Sequence, residues 1–200
     1  VYTLSLDPPS GSLGFTVIGT EGGLLSAPVE GLAELTLGPG ERYDVVVDFS
    51  GQAVGNEILL ANSAPAPFPN GSASLPELLK FIVVPGVAHI DPLPANLRAV
   101  IPIDPGESVT ERDFVLRKAA DDGCGRQNWL INGLVWHDIT EYPVLDTVET
   151  WRFINDSGMS HPMHMHLVFF QILDRQPFSK GEDGEIIPIG DPLPPAAWEA

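Results

Sequence analysis

Apolar and polar positions alternate in short runs along this chain, and each run is closed by Gly, Pro, Asn or Asp. In LGPGERYDVVVDFSG, Leu37 to Gly51, Pro39 and Gly40 take the centre of a type II turn. Tyr43, Val45, Val47 and Phe49 then alternate with Arg42, Asp44 and Asp48, the pattern of a half-buried strand. Similar runs follow at EILLANS, LLKFIVV, ERDFVLRKA, NWLINGLVW, DTVETWRFIN and MHMHLVFFQILD. Their number and spacing predict an all-β protein built as a sandwich or barrel. Twenty prolines and twenty glycines without a fixed period agree with many short strands and tight turns.

Between Pro85 and Pro105 the rhythm breaks. PGVAHIDPLPANLRAVIPIDP carries five prolines, which stiffen an extended connector. A domain boundary is placed there, near Pro92, giving units 1–91 and 92–200. The last segment, QPFSKGEDGEIIPIGDPLPPAAWEA, reads as loop.

Composition narrows the chemistry. Two hundred residues with 44% hydrophobic side chains suffice for a real core. Ten basic against 27 acidic side chains give a formal net charge of −17, which repels phosphate backbones and anionic lipid surfaces and argues against nucleic acid as a partner. No apolar run approaches the roughly 18 to 20 residues of a membrane-spanning helix. The first residues, VYTLSLDPPSG, lack the plan of a signal peptide and read as the interior of a domain. The single cysteine, Cys124, excludes an internal disulfide framework and has no companion for a Cys-rich metal site, so the redox compartment stays open.

The densest chemistry lies in SHPMHMHLVFFQILDR, Ser160 to Arg175, where three of the five histidines fall within six residues. Pro162 fixes its own φ and pushes His161 toward extended backbone, so His161 belongs to a rigid turn. From His164 a strand is predicted in which His164, His166, Val168 and Phe170 share one face, and Met165, Leu167, Phe169 and Leu173 the other. Two imidazoles on one face lie about 6.6 Å apart along a strand. Their nitrogens can converge on one ion or diverge onto two, and imidazole suits zinc, copper, iron and nickel. The plain alternative is a strand of hydrogen-bonded histidines or a surface tract. Closely packed buried imidazoles would each need a separate polar partner, and the large apolar neighbours imply that the histidine face is covered. His89 and His137 stand alone and read as structural.

HPMHMHLVFFQILDR resembles the His-Pro-x-His-x-His motif in the last domain of multicopper oxidases. LVFFQILDR and DTVETWRFIN are most similar to the branch that holds the bacterial spore-coat laccase, bilirubin oxidase and phenoxazinone synthase. IGTEGGLLSAPV and LGPGERYDVVVDFS resemble the middle domain of that branch. The resemblance implies two partial cupredoxin-like Greek-key sandwiches joined by the proline-rich connector. It makes His161 a ligand of the type 1 copper, His164 of the type 2 copper and His166 of a type 3 copper. The implied activity of the complete protein is one-electron oxidation of phenolic, aminophenolic or tetrapyrrole-like donors coupled to reduction of dioxygen to water. Its implied partners are dioxygen, a small aromatic donor and the remaining segments of the same oxidase, and it allows an extracytoplasmic or spore-coat location. The family's other ligand motifs, two His-x-His and one His-Cys-His, do not occur in this sequence, and Cys124 lacks flanking histidines. The chain therefore reads as an internal piece of a longer oxidase, inactive when isolated. Two rivals remain: a single zinc or iron held by His164 and His166 on a β-scaffold, and a non-enzymatic cupredoxin-like module. In every metal reading the three histidines are expected at an interface edge, with their nitrogens directed away from the core of their own domain.

Overall fold

The structure is a computed structural model that describes residues 1–72, 74–86, 91–119, 121 and 123–199. His89 lies outside the described residues. Twelve strands run in order among them: β1 (Tyr2–Asp7), β2 (Phe15–Thr20), β3 (Gly23–Leu32), β4 (Glu34–Leu37), β5 (Asp44–Val46), β6 (Glu57–Asn62), β7 (Glu77–Ile82), β8 (Ser108–Lys118), β9 (Trp129–Ile131), β10 (Val148–Asn155), β11 (Phe178–Lys180) and β12 (Ile186–Pro188). The all-β expectation holds. Among the described residues no helix is long and apolar enough to cross a membrane.

Two sheets form the first half, ordered β4-β1-β6-β7 and β3-β2-β5, with every neighbouring pair antiparallel. Alternation turns one face of each inward. Leu6, Leu35 and Ile58 from one sheet meet Phe15, Val17 and Leu25 from the other, and Val17 and Ile58 are fully buried. This is sheet-on-sheet packing around one apolar layer. The Pro39-Gly40 turn forms as predicted: Glu41 N–H donates to Gly38 O at 3.2 Å and Gly40 has φ 86°, which glycine adopts without steric cost. After it Tyr43, Val47 and Phe49 pack on the core, while Val45 is exposed and the strand itself shortens to three residues.

In the second half β8 pairs antiparallel with β9 and parallel with β10. Phe114, Leu116 and Ile154 are buried there, and the Phe114 ring lies 4.7 Å from Trp151 and 5.2 Å from Phe153, centroid to centroid. Asn132 (φ 52°) and Gly133 (φ 79°) make the two-residue turn after β9, both in the left-handed region that a type I′ hairpin requires. Glu149 accepts from Arg112 Nε–H at 2.7 Å and from Trp151 Nε1–H at 2.8 Å, which holds its carboxyl down at about 2.

The last segment is not loop. β11 and β12 form a hairpin, Arg175 bridges Leu193, and a short 3₁₀ turn at Ala197–Glu199 follows. Trp198 packs against the core of the first half. Beside it Arg175 forms a bidentate pair with Glu199 at 2.7 and 2.6 Å. Burial, then the Glu41 and Glu199 carboxylates, push the Tyr43 phenol up to about 12, against a hydrogen bond to Trp198 that lowers it. The seat of Trp198 was hidden from the sequence because its core partners lie more than a hundred residues upstream.

Candidate metal centre

β10 ends at Asn155, and the chain turns through Asp156 to Ser160 into the histidine segment. From His161 to His166 the residues alternate: His161, Met163 and Met165 are half-buried, whereas Pro162, His164 and His166 are exposed. His164 and His166 do share a side, their rings meeting edge-on with centroids 5.0 Å apart. Neither ring is held by a hydrogen bond among the described residues. The predicted strand, however, is absent. Leu167 takes φ 76° in a bend at residues 166–167, which ends the alternation. Leu167, Val168, Phe169 and Phe170 are then all exposed, so the cover expected over the histidine face is not supplied by the described residues.

His161 is set apart from the other two. Its Nε2 lies 2.8 Å from Ser157 Oγ, and its ring packs edge-on against Trp129 at 4.6 Å between centroids. The Lys118 ammonium sits 5.8 Å over that indole. Among the described residues no three His, Cys, Asp or Glu side chains converge on one point. Cys124 is exposed in a glycine-flanked turn, and His137 is exposed in another.

Several residues that position the segment carried no sequence signal. Ser160 N–H donates to Phe68 O at 3.4 Å. A Cβ placed on Gly38 would sit 3.3 Å from Pro162, and one on Gly22 3.8 Å from Phe169, so both glycines line the seat of the segment on the first half. Gln171 uses its whole amide: Nε2–H donates to Ile101 O at 2.9 Å, and Oε1 accepts from Ile103 N–H at 2.9 Å. Arg98 ties the connector back, donating from Nη1 to Gly22 O at 2.9 Å. The histidines are thus carried on a short extended stretch fastened at both ends. Only the Asn155-Asp156-Ser157-Gly158 run, a turn-forming composition just before the first histidine, could have hinted at Ser157.

A family model described as multicopper oxidase matches residues 98–191, which include the histidine segment. The laccase of Bacillus subtilis (strain 168) is 36% identical over 204 residues, covering 99% of this chain and 39% of the laccase. The bilirubin oxidase of Albifimbria verrucaria is 30% identical, with 99% of this chain and 35% of that protein covered. In structure, the McoA multicopper oxidase of the hyperthermophile Aquifex aeolicus superposes with a TM-score of 0.71 at 30% identity, over 94% of this chain and 42% of that one. The chain therefore spans about two-fifths of the length of these relatives. With the cupredoxin-like sandwich, the His-Pro-x-His-x-His segment on its surface and these likenesses agreeing, the chain belongs to the multicopper oxidase family.

Proposed function

We propose that this chain supplies the histidine segment of a copper-dependent oxidase that couples one-electron oxidation of phenolic or aminophenolic donors to reduction of dioxygen to water. His161 would hold one copper, the type 1 ion, while His164 and His166 would serve a type 2 and a type 3 copper. One observation carries the separation: the His161 ring is turned to Ser157 and Trp129, while His164 and His166 stand together as exposed rings. The donor set fits, since neutral imidazole is a good copper ligand and two of the three rings are held by no other polar group among the described residues. Bound copper would supply the one-electron redox chemistry.

The chain's own residues hold and orient. Pro162 restricts the backbone between His161 and His164, and the fastenings at Ser160, Gln171 and Arg175 remove freedom that ligand binding would otherwise have to remove. The exposed apolar stretch Leu167 to Phe170 suits cover by further segments of the same oxidase. The division into units 1–91 and 92–200 is part of this reading. It is supported by the absence of strand pairing between the sheets of Tyr2–Ile82 and those of Ser108–Pro188 among the described residues. A single zinc or iron on His164 and His166 has less support, because such catalytic sites use three protein ligands and no third converges here.

The test is made in the copper-loaded protein that carries this segment. His161→Ala should abolish the blue absorption. His164→Ala should keep that absorption while impairing oxygen uptake with a phenolic donor. If both variants lost the same feature and kept the other, the assignment to separate metals would be wrong.

A further inference from the structure

A proton count along Asn155, Ser157 and His161 fixes which ring nitrogen of His161 carries hydrogen. Asn155 Nδ2–H donates to Met159 O at 2.8 Å, which leaves Asn155 Oδ1 facing Ser157 Oγ at 2.7 Å. Reversing that amide would set its oxygen against the Met159 carbonyl. A serine hydroxyl has one proton and two lone pairs. Two acceptors compete for the proton, Asn155 Oδ1 at 2.7 Å and Met159 O at 3.1 Å, and the shorter contact is at the usual O–H···O distance. The two lone pairs then accept from Met159 N–H at 3.3 Å and from His161 Nε2 at 2.8 Å. Were the hydroxyl to donate to Nε2 instead, two acceptor oxygens would face each other at 2.7 Å with no hydrogen between them.

We infer that Ser157, aligned by Asn155, is a positioning residue that holds His161 as the Nε2–H tautomer and so presents Nδ1 as the nitrogen with a lone pair for a metal. The ligand half of this inference rests on the reading of His161 as a copper ligand. Histidine ligands have their tautomer and ring orientation set by the partner of the other nitrogen. Here Ser157 sets the tautomer, and the edge contact with Trp129 restrains the ring against rotation. A single hydroxyl thereby selects one donor atom of two. Ala at this position would leave both tautomers available.

The experiment is long-range ¹H–¹⁵N correlation of the metal-free 200-residue chain at about pH 8.5, where free imidazole is neutral. For His161 the Nε2–H form should exceed the Nδ1–H form about tenfold, which corresponds to about 1.4 kcal/mol. Ser157→Thr, which keeps the hydroxyl, should preserve that ratio, and Ser157→Ala should bring it close to that of a free histidine side chain. Asn155→Ala, which frees the hydroxyl to rotate, should lower it as well and serves if Ser157→Ala fails to fold. A majority of Nδ1–H in the parent chain, or a ratio unchanged in both the Ser157→Ala and Asn155→Ala variants, would overturn the inference. In the copper-loaded protein that carries this segment, reduced to diamagnetic Cu(I), His161 Nδ1 should shift relative to the metal-free form while Nε2 keeps its proton. A correct tautomer with an unmoved Nδ1 would overturn the ligand half and the copper reading of His161, and would leave the Ser157 relay standing.

Discussion

Replacing Gln171 by Ala removes both hydrogen bonds that fasten the histidine segment to the connector. Each bond is 2.9 Å long and spans about seventy residues, joining Gln171 to the backbone of Ile101 and Ile103. A typical bond contributes about 0.5–1.5 kcal/mol net, so the pair has a ceiling of about 3 kcal/mol. The structure argues for the lower end. Ile101 is 83% exposed and Ile103 42% exposed, so water can replace the lost amide at both. A loss of about 1 kcal/mol is expected, which would raise amide exchange at Ile103 by about fivefold and lower the urea midpoint slightly. Gln171→Glu separates the two bonds. An ionised carboxylate still accepts from Ile103 N–H but opposes the Ile101 carbonyl, whereas a protonated one can donate to it. Contact with that carbonyl would raise the folded-state pKa of the new carboxyl above its unfolded value. The variant's deficit should therefore be full at neutral pH, shrink as pH falls through the raised folded-state pKa, and be smallest below the unfolded value of about 4.3. Unchanged exchange at Ile103 in Gln171→Ala would refute the fastening.

Arg112 first, then Trp151, hold the Glu149 carboxyl at about 2 against an ordinary 4.5. The contribution of this depressed group is complete above about 4.5 and is lost as pH falls toward about 2; Glu149→Gln should flatten the acid limb of the stability curve in that window, and an unaltered slope would contradict the pairing. Ile58→Ala, at a fully buried position between the two sheets, should cost about 3 kcal/mol or more in chemical denaturation; a loss below about 1 kcal/mol would mean that the two sheets do not pack as described. Copper titrated into the 200-residue chain should bind weakly and give no intense blue band, because that band needs a copper–thiolate bond and the exposed Cys124 joins no convergent ligand group among the described residues. A strong band with sustained oxygen uptake from a phenolic donor would contradict this.

The all-β class, the Pro39-Gly40 turn and the histidine motif were legible from the order of residues alone. These rest on periodicity and on residues that restrict their own backbone, which are local properties. Even the pairing of His164 with His166 on one side was legible, since two residues apart in extended chain face the same way. The same alternation failed one residue later. Leu167 adopts a left-handed backbone that nothing in its side chain favours, so a uniform run of apolar residues read as strand where the chain in fact turns. The seats of Trp198 on the distant core, Gln171 on the connector and Ser157 against His161 emerge only in the folded chain. Gln171 and Trp198 meet partners far away in sequence; Ser157 lies near its histidine, but its role depends on how the turn between them folds. Spacing along the chain encodes which face a side chain takes, whereas the group it meets there depends on how distant segments and turns come together.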